Sequence, residues 1–243
     1  MLKKIVSICA IVASASFALW DYFPILPSGS GQVVAGVVYN DQDPLTTFGA
    51  ETGVRYSLTN WFELSMKLDY RFFTHVDGDD VKMDGLGNIP VGLRFQLTPG
   101  FGIYADVSIP VGDESYAPDY LSYAFGLQHT SLFGSVAWGS AFGAELNTEN
   151  SIILFLLGNE LDILLGQLVP YVGFNIYMGE DFGPQGEGAN GFEIYPGLKF
   201  GVTPSLVLDF SVHFFGGDLF TTSIYKEDLD APTVFSFNVF YTF

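Results

Sequence analysis

Trp61 to Phe73 carries the strictest pattern in the chain. Phe62, Leu64, Met66, Leu68, Tyr70 and Phe72 fall on one parity, and Trp61, Glu63, Ser65, Lys67, Asp69 and Arg71 on the other. Successive side chains of an extended strand point to opposite faces, so this stretch makes one apolar face and one charged face. A helix would wrap both sets around its circumference and leave no clean face. In a soluble sandwich the apolar parity would face a packed core. The rest of the chain argues for the opposite arrangement.

The same two-residue period recurs through most of the sequence. Val33–Tyr39, Thr47–Leu58, Ile89–Thr98, Phe101–Val111 and Leu121–Leu127 read as strands, and so do Val172–Met178, Phe192–Val202, Leu206–Phe214 and Thr233–Phe243. Val136–Leu146 alternates with small residues, Ala137, Gly139, Ala141 and Gly143, on its inner face. Ile152–Leu157 is apolar on both parities before Glu160 and Asp162 restore the alternation. It reads as a strand, with a short helix or a strand at a protomer interface as rivals. Of the residues, 49 % are hydrophobic and 16 % aromatic, yet no stretch beyond the leader supplies the roughly 20 apolar residues of a spanning helix. Apolar content carried by alternating strands points to an all-β fold, a transmembrane antiparallel up-and-down β-barrel of about 12 strands, with 10 or 14 as alternatives. The formal charge of −18 leaves no basic patch to neutralise phosphates, so nucleic acid is excluded as a partner.

Lys3 and Lys4, the apolar run Ile5–Ala15 and the small-x-small site Ser16-Phe17-Ala18 have the layout of a secretory signal peptide. The domain plan is therefore a signal peptide over 1–18, a lead-in over 19–30 and a barrel over 31–243. The lead-in, with Trp20, Tyr22 and Phe23, is either a periplasmic arm or a small plug in the lumen. The single cysteine, Cys9, lies in the leader, which leaves the exported chain free of disulfide chemistry.

In the last strand Phe235, Phe237, Val239, Tyr241 and the terminal Phe243 occupy alternate positions. This ending resembles the signal read by the barrel-assembly machinery, and with the general strand pattern the chain resembles bacterial single-chain, porin-like outer-membrane β-barrels. The resemblance implies location in the bacterial outer membrane, with lipid and the assembly machinery as partners.

Short turns at Leu58-Thr59-Asn60, Thr98-Pro99-Gly100 and Thr203-Pro204-Ser205 alternate with longer acidic connections at Asp41–Thr46, Thr74–Asp84, Gly112–Asp119, Gly179–Asn190 and Gly216–Pro232. That asymmetry is the one expected between periplasmic turns and outer loops. Centring pairs on Thr59, Pro99 and Pro204 predicts Glu51 opposite Lys67, Arg55 opposite Glu63, Arg94 opposite Tyr104, Tyr195 opposite His213, and Lys199 opposite Asp209.

Arg or Lys on the lipid face costs ~2–4 kcal/mol near the midplane, so the polar parity must face the lumen. The predicted pore lining is Glu51, Arg55, Glu63, Lys67, Asp69, Arg71, Arg94, Tyr104, Asp106, Glu193, Tyr195, Lys199, Asp209 and His213. Arg55, Lys67, Arg71 and Arg94 would form a basic arc facing acids, an arrangement that sorts solutes by charge and pore radius. The expected function is passive diffusion of small hydrophilic solutes. The alternative is a non-conducting structural or adhesion barrel whose charges merely pair across hairpins. No cofactor is expected. The acidic loop Asp77-Gly78-Asp79-Asp80 is a candidate for divalent cations, although its spacing matches no complete calcium motif. An enzyme is the rival class: His75 beside Asp77 is its best base, but no serine signature accompanies it, and His213 is expected to bond Tyr195. The barrel is expected as a monomer or a trimer.

Overall fold

The computed structural model describes residues 22–117, 119–147, 153–179, 189–220 and 230–243. The expected leader, residues 19–21 of the lead-in and Ile152 lie outside them.

Twelve long strands form the wall: β1 (Gly31–Gln42), β2 (Leu45–Thr59), β3 (Phe62–Val76), β6 (Ile89–Thr98), β7 (Phe101–Ile109), β8 (Ser122–Phe133), β9 (Val136–Asn147), β10 (Ile153–Ile163), β11 (Leu168–Gly179), β12 (Ala189–Thr203), β13 (Leu206–Gly216) and β14 (Thr233–Thr242). Two short pieces, β4 (Asp79–Asp80) and β5 (Gly85–Leu86), both pair with β3. Wall strands pair antiparallel with their neighbours, and β1 pairs with β14 from Gln32↔Thr242 to Asp41↔Thr233. The sheet is closed. Closure leaves no row of unpaired edge amides, which is the condition for a sheet to cross a bilayer.

The apolar parity faces outward. On β14, Phe235 and Phe237 are 40 % and 41 % exposed, whereas Ser236 and Asn238 between them are 3 % and 2 % exposed. Phe72, Phe125, Leu127, Phe210 and Phe214 are likewise exposed on other strands. An exterior clad in large hydrophobic side chains belongs in hydrocarbon. Near the short-turn end, Trp61, Phe62 and Phe95 stack with centroids 4.9–6.2 Å apart, in the place of an interfacial aromatic girdle.

The turns differ from expectation in three ways. Gln42 pairs directly with Leu45, so the longer connection predicted at Asp41–Thr46 is a tight Asp43-Pro44 turn. The connection predicted at Thr74–Asp84 is largely a hairpin: β3 pairs with β4 across Asp77-Gly78, whose φ values of 54° and 83° fit a type I′ turn. The first short turn is Asn60-Trp61, and an irregularity between Ser57 and Thr59 shifts the β2–β3 register. Glu51 therefore faces Asp69 rather than Lys67, and Arg55 faces Ser65 rather than Glu63. The other two centres hold. Arg94 faces Tyr104 and Lys199 faces Asp209, while the Tyr195 and His213 rings stack at 5.0 Å.

β10 pairs on both sides, with β9 and β11, so the ambiguous apolar run enters a regular strand. Its second apolar parity has an inward purpose. Leu154 packs inside the barrel with Tyr177, Phe215, Leu219, Phe220 and Val234, with Leu156 and Val38 against this cluster. Leu219 and Phe220 belong to the β13–β14 connection, and Gln42 Nε2 donates to the Phe220 carbonyl at 2.9 Å. The described start of that connection, Leu219 and Phe220, turns into the mouth.

The described part of the lead-in also turns inward. Leu26 N donates to Glu63 Oε2 at 2.9 Å, Ile25 N to Gln96 Oε1 at 3.2 Å, and Thr130 Oγ1 to the Tyr22 carbonyl at 2.7 Å. Tyr22, the first described residue, has no exposed surface, and its hydroxyl donates to Asn175 Oδ1 at 2.5 Å.

Candidate channel lumen

Every residue predicted to line the wall lies on the parity opposite the exposed apolar one, because strand alternation fixes both sets together. What the sequence does not give is their grouping. On the β2–β6 side, Arg55 donates to Gln32 Oε1 at 3.0 Å and stands 3.6 Å from Glu63, a diagonal partner once the register shift is included. Arg94 grips Asp106 with two bonds of 2.5 and 3.1 Å and lies over the Tyr104 ring at 5.1 Å. Lys67 sits opposite Gly53, and Glu51 opposite Asp69. Asp69 accepts from the Tyr116 hydroxyl, and the Arg71 guanidinium lies over the Tyr116 ring at 4.1 Å.

The β10–β13 side is a dense polar network. Lys199 Nζ bonds Glu160 Oε1 at 2.7 Å and Asp162 Oδ2 at 3.0 Å, and lies against the rings of Tyr171 and Phe23. Asp209 takes the Tyr171 hydroxyl at 2.8 Å in place of its cross-strand lysine. Tyr195 donates to Glu160, not to His213 as expected. Glu193 accepts from Asn175 at 2.6 Å and Tyr177 at 2.7 Å, and stands 2.5 Å from His213 Nδ1. Through Asn175 this network reaches Tyr22 of the lead-in.

Inward tyrosines lie across glycines on the neighbouring strand. Tyr195 pairs with Gly173 and Tyr171 with Gly197, and in each case a side chain on the glycine would run into the ring. Tyr104 likewise covers Gly126 and Gly143, while Tyr22 covers Gly139 and Gly158. The small residues predicted on the inner face of β9 make room for these rings.

Glu160, Asp162, Asn175, Tyr171 and Tyr177 belong to the lumen but not to the predicted set. Their signal was present, since all lie opposite the apolar parity of β10 or β11. Tyr116, Leu219 and Phe220 had no such signal, because they sit on connections without a period. His75 pairs with Asp80 at 2.5 Å on the exposed hairpin, not with Asp77. Among the described residues, no group of three or more His, Cys, Asp or Glu side chains is gathered for a metal ion.

A closed antiparallel cylinder with a lipid-compatible exterior and a charged interior is a bacterial outer-membrane β-barrel. Its sequence over residues 14–218 matches the family model described as "Putative MetA-pathway of phenol degradation", and the chain belongs to that family. No curated protein sequence matches it. Among solved structures, it is similar to an outer-membrane channel from Pseudomonas putida F1, with a TM-score of 0.71 and 13 % identity over 91 % of this chain and 98 % of that one. The translocator domain of the autotransporter NalP from Neisseria meningitidis has a TM-score of 0.64 at 10 % identity, over 98 % and 97 % of the two chains. The CymD monoaromatic hydrocarbon channel has a TM-score of 0.51 at 9 % identity, over 90 % and 89 %.

Proposed function

We propose that this barrel is a passive diffusion channel for small polar solutes, with the predicted wall residues as its lining. The observation that carries the reading is the inward charged parity around a closed wall of twelve strands. Side chains alone fill a barrel of about eight strands, so twelve leave an interior that something else must occupy, whether chain or solute. The β2–β7 face brings Arg55, Arg94, Glu63 and Asp106 to that interior, and the β10–β12 face brings Lys199, Glu160 and Asp162. Such a wall discriminates by sign and size without covalent chemistry. The similarity to the Pseudomonas putida channel supports the same reading.

Ser211 Oγ lies 2.8 Å from His213 Nε2, with Glu193 on the other ring nitrogen, the order of nucleophile, base and orienting acid. Ser211 is 2 % exposed and Glu193 is shared with Asn175 and Tyr177, so we assign the trio to wall structure and the barrel to a non-enzymatic role.

A second reading, a non-conducting structural barrel, has its own observation: Tyr22, Glu63, Glu160, Glu193 and Asp209 are at most 1 % exposed. Planar-bilayer conductance of the purified barrel separates the two. A channel gives discrete steps whose reversal potential in a salt gradient moves towards cation preference in Arg55→Glu and Arg94→Glu. A folded wild-type barrel that stays silent leaves the structural reading.

A further inference from the structure

Arg71 is a wall cation with an unsatisfied donor. It is 7 % exposed, and its Nη1 has no hydrogen-bond partner among the described residues. Arg55, Arg94 and Lys199 each hold a carboxylate. Arg71 has the face of Tyr116 and the nearby charge of Asp69, one of whose oxygens accepts the Tyr116 hydroxyl. A buried guanidinium with an unsatisfied donor is unfavourable by itself, so the fold tolerates an arrangement that an incoming oxyanion would complete.

The surroundings specify that oxyanion further. Arg71 pairs with Gly49 on β2, and Gly49 pairs with Val38 on β1. Strands lie about 4.8 Å apart and the nearest atoms to a side chain built at Gly49 are backbone, so no wall side chain stands between Arg71 and Val38 in this row. Val38 is the margin of the apolar cluster of Leu154, Phe215, Leu219 and Phe220. A fixed cation thus lies on the same wall row as the edge of an apolar chamber. Tyr116 covers Arg71 from the β7–β8 connection rather than from the wall, so the cover can move without opening the sheet.

We propose that Arg71 receives the carboxylate of a small organic acid whose apolar body rests against the chamber at Val38, and that this contact sets a preference for such acids in transport. The planar guanidinium fork suits a carboxylate, and a lysine point charge reproduces only part of the contact. The inference rests on the channel reading and is tested so that the two can fail separately.

The experiment uses the full-length barrel in liposomes, with swelling rates for benzoate and for benzamide, its neutral counterpart of similar shape. Wild type is expected to favour benzoate by roughly tenfold, the scale of one charge-assisted hydrogen bond. Arg71→Gln should abolish the preference, Arg71→Lys should retain part of it, and benzamide rates should stay constant. Tyr116→Ala, on a connection, provides a second variant should Arg71→Gln fold poorly. It should raise benzoate preference by uncovering the guanidinium. An unchanged benzoate preference in folded Arg71→Gln, or in Tyr116→Ala where that is the variant that folds, overturns the inference alone. A wild-type barrel that passes neither probe overturns the channel reading, and this inference with it.

Discussion

Gly158→Ala is a one-methyl test of whether the lead-in obstructs the lumen. An alanine Cβ at this position would overlap the Tyr22 hydroxyl, and the Asn175 Oδ1 would stand 2.7 Å away. Gly158 lies in regular β10, where alanine suits the backbone at least as well as glycine. The strain therefore falls on Tyr22 and on the Asn175 amide that it bonds. Displacing Tyr22 gives up the Tyr22–Asn175 and Thr130–Tyr22 hydrogen bonds, at about 1 kcal/mol each. It also gives up burial of the ring, worth about 2 kcal/mol. The sum of about 4 kcal/mol shifts the balance between seated and withdrawn segment by a factor on the order of a thousand. Single-channel recording should then show larger and longer-lived open steps than wild type. Gly201→Ala is the control, since its Cβ meets only ordinary contacts at 3.7–4.0 Å. Should folded Gly158→Ala show the wild-type conductance distribution, the inward segment is not what limits flow.

Three further outcomes follow from the wall. Lys199→Met strands Glu160 and Asp162 in the interior and should destabilise the barrel by about 3–5 kcal/mol, read as a lower urea midpoint in detergent; an unchanged midpoint would show that the carboxylates do not need the lysine. Leu127→Arg places a charge on the lipid face at mid-strand and should lower folding stability in bilayers by ~2–4 kcal/mol, measured by heat-modifiable gel mobility; no loss would put that parity in contact with water. Phe243→Ala removes a 58 % exposed side chain and should change stability by no more than about 0.5 kcal/mol, yet lower the amount of folded barrel in the outer membrane. Equal yields would separate the terminal aromatic from the assembly signal.

The alternation made the wall legible, because a two-residue period states which side each residue faces. Glu63, Arg94 and Lys199 could be placed inward from their neighbours alone. The partners could not all be read the same way. One extra residue near Leu58 moved Arg55 from opposite Glu63 to opposite Ser65, and only a long flexible side chain kept the ion pair. Lys199 has Asp209 opposite it in register, but bonds Glu160 and Asp162 from two strands away, where burial makes paired carboxylates more demanding than a single neighbour. Segments without a period were the least legible. Nothing in the spacing of Tyr116 or Phe220 says that these side chains turn inward. For Phe220 the clue lay elsewhere, in the doubly apolar start of β10, whose inner face requires an apolar partner.

The tyrosine-over-glycine pairs have an evolutionary consequence. Each ring fills the interior from a site where the neighbouring strand has already given up its own side chain, so exchanging Tyr171, Tyr195 or Tyr104 for a smaller residue alters the free bore locally while the backbone ladder behind it persists. A lineage could retune what fits through such a cylinder in single-codon steps, without re-engineering its strand count.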